Sequence, residues 1–123
     1  MTEAQFTSFI KSALRSKSRF WKPVSDTIKN ARVARGVYVC NVCKQQVPKS
    51  VVVNGKRRNN IICDHIVPVI PPYDVFTDWN TFIENLFCEQ SNLQAICLAC
   101  DTHKQALERA ARQNNKKEDN ESS

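Results

Sequence analysis

The chain has 123 residues, 41% hydrophobic and 24% charged, with a mean hydropathy of −0.45 and a net charge of +6. That length sets a single domain with little left for tails, and the modest apolar content predicts a small core that needs a staple. No run of sequence approaches the ~20 apolar residues needed to cross a bilayer, and Met1–Gln5 lacks the apolar centre of a signal peptide, so a cytoplasmic location is expected.

The net charge hides an asymmetry. Residues 1–62 carry 13 Lys/Arg against 2 Asp/Glu, whereas residues 63–104 carry 1 Lys against 6 acids, and residues 105–123 balance. A basic first half suits a polyanion, and an acidic second half suits a cation. The plainer alternative is a basic face that only keeps the protein soluble.

In chain order, residues 2–16 read as a helix with Phe6, Phe9, Ile10 and Leu14 on one side and Thr2 as its cap. Trp21-Lys22-Pro23 interrupts it, and a second helix is expected over Val24–Ala34, with Gly36 after its end. Lys29, Arg32 and Arg35 then share helical spacing and would form a ridge. Val37–Val39 reads as a strand leading into Cys40-Asn41-Val42-Cys43. Val51–Val53, the Asn54-Gly55 turn and Ile61–Cys63 read as one hairpin whose second strand delivers Asp64-His65. Ile66–Pro72 must be extended because of its prolines. Thr77–Phe87 is an amphipathic helix with Trp79, Phe82, Ile83, Leu86 and Phe87 at core spacing. A last helix runs from about Leu98 through Ala111, and residues 113–123 have the composition of a disordered polar tail. The expected layout is a basic helical extension (1–36) packed on a core (37–112), followed by that tail.

Two Cys-x-x-Cys pairs, Cys40/Cys43 and Cys97/Cys100, stand 53 residues apart. In a reducing compartment this spacing favours one tetrahedral zinc over disulfides, although two unrelated disulfides or free thiols fit the same residues. Four thiolates leave no open coordination position, so such a zinc is structural. Cys63 and Cys88 read as reduced thiols in apolar surroundings. Between the two pairs lies Asp64-His65, a carboxylate beside an imidazole at the end of a strand; alone it reads as a hydrogen-bonded structural pair.

The combination Cys40-x-x-Cys43, Asp64-His65-Ile66-Val67-Pro68, Asn92-Leu93-Gln94, Cys97-x-x-Cys100 and Lys104 resembles the zinc-containing form of the HNH nuclease family. Arg19-Phe20-Trp21-x-Pro23 and Phe76-Thr77-Asp78-Trp79-x-x-Phe82-Ile83 are similar to small phage-type members, which extends the resemblance over residues 10–110. It implies an α+β fold with a ββα-metal, treble-clef-like core. It also implies Asp64 on a divalent cation, His65 as general base on a water, and Asn92 fixing the loop that orients His65. The cytoplasm would then be that of a bacterial host.

One position departs from the pattern. Family members usually carry a metal-binding His directly after the second Cys pair, where this chain has Asp101. His103 follows two residues later, but two helical residues subtend about 200°, so it faces away. Asp101 can take the ligand's place, and a pair of carboxylates prefers Mg2+ or Mn2+; His103 is left as a surface residue or phosphate contact. The resulting expectation is an endonuclease cleaving DNA, or RNA, with little sequence preference. Arg15, Arg19, Lys29, Arg32, Arg35, Lys56, Arg57, Arg58 and Lys104 would contact the phosphate backbone. The other readings are a degenerate module that binds nucleic acid without cutting, and a phage accessory protein that contacts a phage or host protein.

Overall fold

The computed structural model describes residues 1–70 and 76–121, with side chains through residue 114. Pro71 and Pro72 of the expected extended segment lie outside the described residues. The described residues fold as a small α+β protein of four α-helices and three small antiparallel sheets.

Helix α1 (Glu3–Ser18) starts with a capping box: Thr2 Oγ1 accepts from Gln5 N (3.1 Å) and Gln5 Oε1 accepts from Thr2 N (2.8 Å). Helix α2 (Lys22–Ala31) begins two residues earlier than the sequence suggests, because Pro23 is favourable in a first helical turn. It also ends three residues earlier. Arg32 lies in strand β1 (Arg32–Ala34) and Arg35 in the turn after it, so the helical ridge of Lys29, Arg32 and Arg35 does not form. Strand β1 pairs with β2 (Val37–Val39), which pairs in turn with β3 (Gln46–Pro48). Gly36 makes the β1–β2 turn at φ 72°.

Strands β4 (Ser50–Val53) and β5 (Lys56–Asn59) form a hairpin around Asn54 and Gly55, whose φ values of 52° and 77° suit a two-residue turn. The expected hairpin ran on into Ile61–Cys63, and here the structure differs. The tight turn pairs Val53 with Lys56 and is used up at Ser50–Asn59, so β6 (Ile61–His65) needs another partner. It pairs with β7 (Leu93–Cys97) in the register Ile61–Cys97 through His65–Leu93. Between them lie α3 (Trp79–Leu86), capped by Asp78, and a 3-10 turn at Gln90–Asn92. Helix α4 (Leu98–Glu121) follows β7 directly and passes the Ala111 expected from sequence into the segment expected to be a tail. It meets no Gly or Pro, and its Ala, Arg, Lys and Glu residues are good helix formers.

Helix α2 packs on β6 and β7, where Tyr38, Ile61 and Ala95 are buried against Ile28, Ala31 and Val47. A second cluster joins Cys40, Ile96 and Cys97. Helix α3 buries Phe82 and Leu86, while Ile83 is 40% exposed and not the core residue its spacing suggested. Phe82 stacks edge-on with Phe76 and Trp79 at 6.0 Å. Phe82→Ala should cost about 3–5 kcal/mol in a urea melt, because its ring is almost fully enclosed.

Buried Asn60 locks the β5–β6 corner to α4. Its Nδ2 donates to Pro48 O (3.0 Å), and Leu98 N at the start of α4 donates to both its backbone O (3.2 Å) and its Oδ1 (3.3 Å). Asn60→Ala removes the bond to Pro48 O but leaves Leu98 N its bond to the backbone O of residue 60, so a loss of about 1 kcal/mol is expected in the same melt. Trp21 Nε1 donates to Cys88 O (2.9 Å) and tethers the segment before α2 to the chain after α3. Among the described residues no helix is long and apolar enough to cross a membrane.

Candidate metal and catalytic sites

The four cysteines converge. The Sγ atoms of Cys40, Cys43, Cys97 and Cys100 all lie within 4.8 Å of one another. A tetrahedral zinc with bonds of about 2.3 Å spaces its sulfurs by about 3.8 Å, so small side-chain adjustments suffice. Cys40 and Cys43 sit on a tight turn closed by Lys44 N to Cys40 O (2.9 Å), with Lys44 at φ 62°. Cys97 ends β7 and Cys100 lies in the first turn of α4.

Cys40 is fully buried, and burial opposes its ionisation. The N–H groups of Cys43, Cys97 and Val42 point at its sulfur and win, lowering its pKa to about 6. The Cys100 thiol is pushed up to about 12, mainly by hydrogen bonding with Cys97 and then by burial. The convergence of the four sulfurs lets the cluster hold a metal such as zinc. Cys63 and Cys88 stay outside it as free half-buried thiols, and burial pushes Cys63 up to about 11.

A second site lies on the other part of the β6–β7–α4 unit. Asp64 and His65, from the end of β6, line a cavity of about 510 Å3 together with Asp101 from α4. Helix α4 also contributes Gln105, Glu108 and Arg112, and α1 contributes Arg15. Positions 101, 105, 108 and 112 form one helical stripe. Sequence reading missed the last three, although projecting a helix from Asp101 would have found them. Arg112 Nη2 donates to Ile70 O (2.6 Å), and the Arg15 guanidinium lies 5.7 Å from the Phe82 ring.

His65 Nε2 lies 2.9 Å from Leu86 O. A carbonyl only accepts, so Nε2 carries the proton and the neutral ring keeps Nδ1 as its acceptor. Asn92 brackets the loop after His65. Its backbone O accepts from Ile66 N (2.9 Å), its Oδ1 accepts from Val67 N (3.0 Å), and its Nδ2 donates to Val67 O (3.2 Å). This clamp continues the β6–β7 pairing one step beyond the last ladder pair.

Asp64 Oδ2 accepts from Gln94 Nε2 (2.9 Å) and from Lys104 Nζ (2.6 Å). Lys104 also donates to His65 O (2.5 Å) and Ile66 O (3.3 Å). Expected to contact a phosphate, Lys104 instead turns inward, because its position one turn after Cys100 aims it at the end of β6. Burial pushes the Asp101 carboxyl above its ordinary value and the Gln105 hydrogen bond opposes that; the Asp64 charge raises it further, against the pull of Lys104 and Arg58. Asp64 and Asp101 are thus near neighbours around one cavity.

His103 is exposed and lines a different, apolar cleft with Val42, Ala99 and Leu107, on the side of α4 away from Asp101. Arg19 lies 4.8 Å from the Phe20 ring, Arg32 Nε donates to Ala34 O, and Lys29 and Arg35 are exposed. Lys56, Arg57 and Arg58 are exposed on β5, with Arg57 bonded to Ser50 Oγ (2.9 Å). No protein-family model, no curated protein and no solved structure matches the chain.

Proposed function

We propose that the chain is a divalent-metal-dependent phosphodiesterase. More narrowly, we propose an HNH-type endonuclease, with a ββα-metal site formed by β6, β7 and α4 and with DNA as substrate. The observation that carries this reading is one cavity lined by Asp64, His65 and Asp101, in which the His65 ring is anchored at Nε2 and keeps Nδ1 as acceptor. A structural zinc on Cys40, Cys43, Cys97 and Cys100 would hold the unit together.

His65 Nδ1 takes a proton from a water, and the resulting hydroxide attacks the phosphorus in line with the departing 3′ oxygen. That oxygen leaves with a proton from solvent, giving a 5′-phosphate and a 3′-hydroxyl. Asp64 and Asp101 would hold the cation, whose positive charge stabilises the pentacovalent phosphate and the leaving oxygen. Asp-rich donor sets favour Mg2+ or Mn2+. Arg15 on the cavity wall and the exposed Lys56-Arg57-Arg58 strand hold the polyanion, with phosphate contacts and therefore little sequence preference.

A second reading has its own support. The Lys104 ammonium sits on Asp64, an arrangement that also suits a module that binds nucleic acid or a phage or host protein without cutting. Supercoiled plasmid with purified protein and Mg2+ or Mn2+ separates the two. The nuclease reading expects nicking that EDTA stops; DNA retained on the protein without nicking supports the binding module.

A further inference from the structure

Asp64 does not choose its own orientation. Its cross-strand partner in the β6–β7 ladder is Gln94, which places both side chains on one face of the pair. Gln94 Nε2 donates to Asp64 Oδ2 (2.9 Å), and Gln94 Oε1 accepts from Asn41 Nδ2 (2.9 Å). Asn41 lies inside the Cys40-x-x-Cys43 turn. Its own N–H donates to Ala95 O (2.8 Å), and its Oδ1 accepts from Lys44 Nζ (3.1 Å).

We propose that Asn41 and Gln94 are positioning residues that form an amide relay from the four-cysteine turn to Asp64, so that metal on the cysteines sets the geometry of the cation site. This rests on the reading of Asp64 as a cation ligand. The chemistry fixes the direction of the relay. An amide has one donor end and one acceptor end, and the Asn41 side-chain Nδ2–H holds the Gln94 oxygen away from Asp64. Turned the other way, Gln94 would set its oxygen against a carboxylate.

Gln94 and Lys104 together occupy Asp64 Oδ2. Among the described residues Oδ1 takes no hydrogen bond, and it is the oxygen left for a cation. The turn that aims Asn41 is in turn fixed by the cysteines, since Cys40 is fully buried and its sulfur accepts from Cys97 N. Hydrogen-bond partners of metal ligands commonly change metal affinity by about 10- to 100-fold when removed.

The test is Mn2+ binding by the full zinc-loaded chain, read from the electron paramagnetic resonance signal of free Mn2+, for wild type, Asp64→Asn, Gln94→Met and Asn41→Ala. Zinc content and melting temperature are measured on each. Gln94→Met keeps the side-chain length but breaks both bonds. Asn41→Ala trims an exposed side chain and, of the two relay bonds, breaks only the remote one, along with the exposed Lys44 bond. The relay predicts Mn2+ affinity lowered about tenfold in Gln94→Met and several-fold in Asn41→Ala, with zinc content unchanged. Wild-type affinity in both variants, with weakened binding in Asp64→Asn, overturns the relay and leaves the site reading standing. Mn2+ affinity unaffected by Asp64→Asn overturns the reading of Asp64 as a ligand, and the relay with it.

Discussion

Stripping zinc from the four cysteines is expected to unfold the domain rather than loosen it. Structural zinc in small four-ligand sites contributes about 10–16 kcal/mol at neutral pH, which matches or exceeds the 5–15 kcal/mol that holds a typical domain. This chain has little else to rely on. Its buried hydrophobic set among the described residues includes Tyr38, Ile61, Phe82, Leu86, Leu93, Ala95 and Ile96, and beyond these it is completed by Cys40 and Cys97 themselves. The cysteines also pin the two ends of the stretch that contains every residue of the catalytic proposal except Arg15 and Asp101, which directly follows Cys100. One zinc per chain is expected by elemental analysis. A strong chelator should abolish the cooperative thermal transition seen by circular dichroism, and re-added zinc should restore it. Cys97→Ser should leave the chain largely unfolded at 25 °C. A chelated chain with an unchanged melting temperature would mean that the cysteines do not hold a structural metal.

The second large effect is on catalysis. His65→Ala should reduce plasmid nicking by about 10²- to 10⁴-fold, the usual contribution of a positioned general base. The fold should survive, because the side chain is only half buried and gives up a single hydrogen bond, to Leu86 O. The loss from that bond is about 1 kcal/mol, visible as a small shift in the urea midpoint. Zinc content should not change, since His65 lies apart from the cysteine cluster. Nicking at the wild-type rate in this variant would remove His65 from the mechanism. Asp101→Ala adds a finer test in the same assay: its loss should show chiefly as a higher Mg2+ or Mn2+ requirement if it is a cation ligand, and full activity at wild-type metal concentration would exclude it.

Much of this was legible in the residues alone. The Cys-x-x-Cys pairs announced their cluster because a tight turn brings two sulfurs together wherever it is placed, and two such turns need only one meeting. The Asn54-Gly55 turn and the α3 stripe were readable for the same local reason. The partner of Ile61–His65 was not. A strand's sequence shows which faces it buries but not which strand lies beside it, and the short turn at Asn54-Gly55 exhausted the hairpin before β6 began. The end of α2 was missed because Arg32 follows helical spacing, yet pairs with Tyr38 once β2 lies alongside. The direction of the Lys104 side chain was hidden in a similar way. Long flexible side chains take their direction from whichever acceptors the fold brings within reach, here Asp64 and two carbonyls.

By itself the sequence determined the two cysteine pairs that could hold a metal, the adjacency of Asp64 and His65, and the basic bias of the first half. These rest on residue chemistry and short spacings, which survive any arrangement of the elements. Only the tertiary structure decided that Asp64, His65 and Asp101 share one cavity with Arg15, Glu108 and Arg112. It alone turned Lys104 inward and joined Asn41 through Gln94 to Asp64. The cavity gathers residues up to 97 positions apart, from Arg15 to Arg112, and its geometry follows from the pairing of β6 with β7 and the seating of α4 on both.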